Sequence, residues 1–207
     1  MIKNIDSLID KAAELKSKGL VEGQIAEELN ISRETATWLL THAESKETSK
    51  GPKDFSVDWS AIGKNAYRLR HVSQALADML LESLDSPESE MDVVVGIALS
   101  GVPLASLVAR DLEVDLAIYT PSKQRWSNES ETEPRGNFSA NFADIEDAEC
   151  VIVDDVITSG RTLEETVTML QERGAEPNAI AVLVDKKGID EIAGVPVCSL
   201  FKVIRVN

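Results

Sequence analysis

Apolar residues recur at helical spacing over the first forty positions of this chain, then give way to short, dense apolar runs. Ile5, Leu8, Ile9, Ala12 and Leu15 fall on one face of a helix that Gly19 closes. Ile25, Ala26 and Leu29 mark a second helix, and Ser32 is placed to cap a third that runs through Leu40. Asn30, between them, suits the left-handed turn position. From residue 43 to residue 54 large apolar side chains are absent and a Gly-Pro pair breaks the chain, which predicts a linker. Beyond it the spacing predicts a helix over 66–84, strands over 93–97, 114–119, 151–153, 179–184 and 197–200, and helices over 104–110 and 163–173 between them. Such alternation implies an α/β domain with a mostly parallel sheet flanked by helices. The 23 residues from 120 to 142 are polar and aperiodic, the pattern of a binding loop, a lid or a disordered segment. The predicted organisation is a small all-α helix-turn-helix domain over 1–42, a linker over 43–54 and an α/β domain over 55–207.

Composition narrows the classes. Hydrophobic residues make up 43% and charged residues 28% of 207, the balance of a folded globular protein. No apolar run approaches the roughly 20 residues of a membrane helix. The N-terminus is amphipathic and mixed in charge, unlike a signal or transit peptide. Cys150 and Cys198 lie in apolar runs without metal-ligand spacing, which predicts a reduced, cytoplasmic protein. The net charge is −15, yet residues 1–50 carry 7 basic and 9 acidic side chains. The acidity therefore belongs to the α/β part, and any contact with nucleic acid is confined to the N-terminal part.

The run from Gln24 to Leu40 resembles a helix-turn-helix. Small Ala26 allows close approach of two helices, while Leu29, Ile31, Ala36 and Leu40 would fill the wedge between them. The third helix would then present Arg33, Glu34 and Thr37 to DNA, with Ser32 at its positively polarised N-terminus beside a phosphate. Lys3, Lys11, Lys16 and Lys18 could add backbone contacts. The competing reading is a helical hairpin for dimerisation or docking.

The sharpest motif is Val151-Ile-Val-Asp-Asp-Val-Ile-Thr-Ser-Gly-Arg-Thr162 ahead of an amphipathic helix. An apolar strand delivers two carboxylates at its C-terminal end, where open α/β sheets bind ligands. The turn that follows is small, hydroxylated and glycine-containing, so backbone N–H groups can converge on a phosphate at a helix N-terminus. Carboxylates beside an anion site make sense where they meet hydroxyls or a metal. The implied ligand has a phosphate at one end and sugar-like hydroxyls beside it. A P-loop ATPase is excluded because no GxxxxGK[ST] precedes the strand, and Val156 stands where a phosphoaspartate enzyme would need its second carboxylate.

These twelve residues closely resemble the phosphoribosyl-pyrophosphate signature of the type I phosphoribosyltransferases, a likeness that extends over about residues 66–207. It implies that Asp154 and Asp155 meet ribose hydroxyls and that Thr158, Ser159, Gly160, Arg161 and Thr162 hold the 5′-phosphate. It also implies that Ser100 and Gly101 form a pyrophosphate loop, with Mg²⁺ carried mainly by ligand oxygens and water. In the orotate branch a mobile loop carries a catalytic lysine. Here Lys123 takes that place if the chain is an enzyme, and Lys123 and Arg125 become pyrophosphate contacts. Asp185-Lys186 stands where those enzymes grip the base with Asp-Arg, which puts Lys186 on the base side without the bidentate fork of arginine.

Taken with the N-terminal motif and the linker, the whole chain resembles the archaeal orotate-phosphoribosyltransferase-like transcriptional regulators of glucose and fructose catabolism. That resemblance implies a homodimer on promoter DNA that senses phosphoribosyl pyrophosphate or a related phosphorylated sugar or nucleotide. The alternative is a Mg²⁺-dependent phosphoribosyltransferase acting on orotate or another nucleobase.

Overall fold

The computed structural model describes residues 5–44, 54–84, 91–122 and 136–204. The chain divides into two compact units, Met1–Lys64 and Asn65–Asn207.

The first unit holds α1 (Ile5–Ser17), α2 (Glu22–Glu28) and α3 (Arg33–Glu44), an arrangement that matches a helix-turn-helix-like region. Its core is Ala12, Leu15, Ile25, Ala26, Leu29, Ile31, Ala36, Leu39 and Leu40, all buried. The turns use Gly19 at φ 92° and Asn30 at φ 52°, both in the left-handed region. Ser32 caps α3, its Oγ accepting from the Thr35 N–H at 3.1 Å.

The domain boundary differs from the expected one. Helix α3 runs on to Glu44, and residues 54–57 return to the elbow between α2 and α3 instead of opening the next domain. Asp54 Oδ2 accepts from Ser32 N–H at 2.6 Å and from the Thr35 hydroxyl at 2.9 Å. Ser56 donates to the Leu29 carbonyl at 2.8 Å, and the Val57 carbonyl accepts from the Asn30 side chain at 2.9 Å. Polar groups left over at two helix ends hold this strap, so hydrophobic periodicity could not reveal it. A short helix, α4 (Ser60–Gly63), follows, and the second unit begins at Asn65 rather than at residue 55. Residues 45–53 of the expected linker lie outside the described residues.

The second unit opens with α5 (Ala66–Ser83), capped by Asn65, whose side chain accepts from Arg68 N–H at 3.1 Å. Then come β1 (Val93–Ile97), α6 (Gly101–Leu112), β2 (Asp115–Thr120), β3 (Asn137–Phe138), β4 (Glu149–Ile157), α7 (Arg161–Gln171), β5 (Glu176–Asp185), β6 (Glu191–Ile192) and β7 (Val195–Lys202). The sheet order is β3-β2-β1-β4-β5-β7-β6. Its five central strands are parallel, and β3 and β6 add antiparallel edges. All five residues of β1 are buried, as a strand covered on both faces requires. Val93, Val95 and Ile97 share a core with Leu163, Val167 and Leu170 of α7. On the opposite face Gly96 meets α6 so closely that a Cβ there would lie 2.7 Å from the Ala105 methyl.

The expected strands and helices all form, several of them longer than predicted. β3, β6 and α4 are too short to leave a periodic signal. Within the stretch expected to be loop, Asn137–Phe138 pairs with the end of β2 through Tyr119↔Phe138 and Thr120↔Asn137. Residues 123–135 of that stretch lie outside the described residues. No helix among the described residues is long and apolar enough to cross a membrane.

Candidate functional site

Strand order reverses between β1 and β4. From β1 the chain passes through α6 to β2 on one side, and from β4 through α7 to β5 on the other. The crevice beyond the carboxyl ends of β1 and β4 is therefore the switch point where such sheets bind ligands. Both sequence-derived anion loops open onto it.

On the β4 side, Asp154 is half-buried and Asp155 is 9% exposed. Asp154 Oδ1 accepts from Asp155 N–H at 2.9 Å, and Asp155 Oδ1 accepts from Val156 N–H at 2.8 Å. Each carboxylate thus has one oxygen tied to backbone, which fixes its rotamer. Thr158 and Thr162 are half-buried, Ser159 and Arg161 are exposed, and Gly160 is buried with φ 87°. That left-handed glycine turns the chain into α7, whose first amides have no partner within the helix and face outward with the positive end of its dipole. Every residue assigned to the phosphate cradle lies in this one turn.

On the β1 side, Ser100 is the N-cap of α6 and Gly101 its first residue. The Ala98–Leu99 peptide just before them is cis. A Cβ on Gly101 would lie 2.7 Å from the Val153 carbonyl oxygen and 3.0 Å from both Cα and Oδ1 of Asp154. The N-terminus of α6 therefore sits directly against the carboxylate strand. Two helix N-termini and two carboxylates share one crevice, which suits an elongated ligand with anionic ends and hydroxyls between them.

The base-side turn follows β5. Lys186 is half-buried and its N–H donates to the Ile157 carbonyl at 3.1 Å, which sets it beside the end of β4. Asp185, fully buried, accepts from Lys187, Gly188 and Ile189 N–H at 2.7, 2.9 and 2.7 Å. In the Asp185-Lys186 pair, the Asp185 side chain builds the whole turn. Ile189 of that turn also comes within 3.4 Å of the position a Cβ on Gly160 would take, so the turn supports the phosphate loop from below.

Lys123 and Arg125, assigned to pyrophosphate or to catalysis, lie outside the described residues. The chain on either side of them is held by α7. Glu165 of α7 accepts from the Tyr119 hydroxyl at 2.7 Å, from Ser122 N–H at 2.9 Å and from the Ser122 hydroxyl at 2.9 Å. Sequence reasoning missed Glu165, because no local pattern marks a partner 43 residues away. Arg161, Glu164, Glu165 and Gly136 line a cavity of about 330 Å³ along α7.

Among the described residues no three His, Cys, Asp or Glu side chains cluster as a metal site. Asp154 and Asp155 fit Mg²⁺ only where ligand oxygens and water complete its octahedron.

In the N-terminal unit Arg33, Glu34 and Thr37 are exposed together along α3. Thr37 donates to Glu22 Oε2 at 3.1 Å and to the Arg33 carbonyl at 3.0 Å. Ser32, the residue expected beside a DNA phosphate, donates its N–H to Asp54 Oδ2 at 2.6 Å. Lys11 and Lys18 both bind Glu14 and hold its carboxyl well below the usual range, at about 2. Lys3 lies outside the described residues.

Residues 58–191 match the family model of the phosphoribosyl transferase domain. Solved structures share the fold. Adenine phosphoribosyltransferase from Thermoanaerobacter pseudethanolicus superposes with a TM-score of 0.57 at 21% identity, covering 75% of this chain and 92% of that one. Orotate phosphoribosyltransferase from Aeropyrum pernix gives 0.53 at 20% identity, with 76% and 83% covered. Over its full length the chain is 65% identical to the transcriptional regulator GfcR of Methanothrix thermoacetophila, all of which is covered. It is 48% identical to that of Haloferax volcanii, covering 99% of it. The chain belongs to the phosphoribosyl transferase domain family and, within it, to the GfcR transcriptional regulators.

Proposed function

We propose that this protein is a DNA-binding transcriptional regulator of central sugar catabolism that senses phosphoribosyl pyrophosphate, or a related phosphorylated sugar or nucleotide, in its α/β unit. The observation that carries the ligand reading is the seating of Gly101 against Asp154, which joins two helix N-termini and two carboxylates in one crevice. Asp154 and Asp155 hold the ribose hydroxyls, the turn from Thr158 to Thr162 holds the 5′-phosphate, and Ser100 and Gly101 face the diphosphate. Mg²⁺ travels with the ligand. The regulator reading rests on the full-length relatives and on the exposed Arg33, Glu34 and Thr37 face of α3. As a homodimer the protein would set two such helices against a two-fold-related operator.

The test combines two measurements. Calorimetry with phosphoribosyl pyrophosphate and Mg²⁺ should show binding, and Asp154→Asn combined with Asp155→Asn should abolish it while DNA binding to the protein's own promoter survives. Arg33→Ala with Thr37→Ala should do the reverse. Retained ligand affinity in the aspartate double variant would refute the site. Release of pyrophosphate with orotate or another nucleobase would make the protein a phosphoribosyltransferase with a DNA-binding appendage.

A further inference from the structure

Glu165 has no part in the ligand contacts above, yet three hydrogen bonds from Tyr119 and Ser122 converge on it. It projects from α7, four residues beyond Arg161 of the phosphate turn, so it moves with the cradle. Its two oxygens receive three donors: the hydroxyl of Tyr119, the N–H of Ser122 and the hydroxyl of Ser122. Those residues close β2 and lead into the segment at 123–135. The chain re-enters at Gly136, and any Cβ there would collide with the Tyr119 hydroxyl and lie 2.6 Å from Glu165 Oε1. The returning strand is then fixed by Phe138, whose ring centroid is 4.9 Å from that of Tyr119, with the Arg173 guanidinium 5.3 Å from the same ring. Both stems therefore converge on one carboxylate.

Tyr119 is fully buried, so its hydroxyl needs an acceptor. Burial first, and then the neighbouring carboxylate, push that phenol far above its ordinary range, so it remains a donor. Glu165 is half-buried and its bonds are charge-assisted. The clamp ties the edge of the sheet at β2 and β3 to the helix that bears the phosphate turn.

We propose that Glu165 is a positioning residue that sets the affinity for the diphosphate end of the ligand relative to its 5′-phosphate end, by fixing the Ser122 and Gly136 stems against α7. This rests on the ligand reading above. In that reading the 5′-phosphate meets the turn at 158–162 and the diphosphate meets Ser100 and Gly101, whose loop is tied to the clamped end of β2 where Ala98 N–H donates to the Tyr119 carbonyl at 2.8 Å. Loosening the stems should therefore weaken a diphosphorylated ligand selectively.

The experiment compares phosphoribosyl pyrophosphate plus Mg²⁺ with ribose 5-phosphate by calorimetry on the full-length protein. Glu165→Ala and Gly136→Ala break the clamp from opposite sides. Each should weaken phosphoribosyl pyrophosphate about tenfold, the equivalent of one charged hydrogen bond, and leave ribose 5-phosphate within about twofold. Their combination should be no worse than either alone, because both remove the same contact. Glu165→Gln keeps an acceptor for Tyr119 and Ser122 N–H and can donate to the Ser122 hydroxyl, so it should stay within about threefold of wild type. Ser122→Ala, a smaller lesion, should shift the ratio in the same direction and serves if Glu165→Ala fails to fold. An unchanged ratio in Gly136→Ala and Ser122→Ala would overturn the assignment. So would a parallel loss of both ligands, since that marks general damage to α7. A wild-type protein that binds neither ligand fails the reading of the crevice itself, a result no variant comparison could imitate.

Discussion

Three glycines in the α/β unit matter less for freedom of the backbone than for what a methyl group would strike. Gly96 admits α6 to the sheet, Gly101 admits the α6 N-terminus to Asp154, and Gly136 admits the returning strand to Tyr119 and Glu165. At Gly101 the atoms in the way are the Val153 carbonyl and the Asp154 Cα, neither of which can swing aside. Gly101→Ala should therefore lever α6 away from β4, at a cost of about 1–3 kcal/mol, the usual size of an overpacked contact. Urea unfolding measures that loss, and affinity for phosphoribosyl pyrophosphate should fall with it. Ser100→Ala, one residue earlier and exposed, should leave stability unchanged. If Gly101→Ala is as stable as wild type and binds ligand normally, the crevice does not depend on this approach.

Among the elements, the strap at 54–57 changes how the N-terminal unit is understood. A carboxylate already sits at the N-terminus of α3, accepting from Ser32 N–H and from the Thr35 hydroxyl. Asp54→Ala should destabilise the unit by about 1–3 kcal/mol, the cost of leaving charge-assisted donors unmade. Hydrogen exchange should then speed up in α3 and leave β1 and β4 untouched; equal protection in both proteins would show the strap to be incidental. This strap was invisible in the sequence because Asp54, Ser56 and Val57 act through backbone and polar contacts with no period. The elements with a strong period were legible: α1 from Leu8, Ile9, Ala12 and Leu15, and β1 from its unbroken apolar run. The phosphate turn was legible for a different reason, since carboxylates, hydroxyls and a glycine are contiguous there. Glu165, Asp185 and the Gly136 stem were not, because their partners are assembled by the sheet order and not by neighbours in the chain. Sequence order cannot show that β2 and α7 meet.

For the molecule as a whole, the charge distribution constrains how sensing could reach DNA. The net −15 is concentrated outside residues 1–50, so the α/β unit as a whole repels a phosphate backbone at long range. In the proposed homodimer, ligand could regulate only by favouring one arrangement over another, and it could shift that balance by no more than its own difference in affinity for the two. Thermodynamic linkage then fixes a relation between two independent measurements. If phosphoribosyl pyrophosphate changes operator affinity by some factor, operator must change phosphoribosyl-pyrophosphate affinity by that same factor. Typical couplings amount to about 5–150-fold, well within reach of fluorescence anisotropy on labelled promoter DNA and calorimetry on the complex. The aspartate double variant, Asp154→Asn with Asp155→Asn, should bind operator with the affinity of the unliganded protein at every ligand concentration. A coupling factor above one in the wild type that vanishes in the aspartate double variant would establish the crevice as the sensor of the switch. Ligand binding that leaves operator affinity unchanged would separate the two units functionally, and the α/β unit would then need a role of its own.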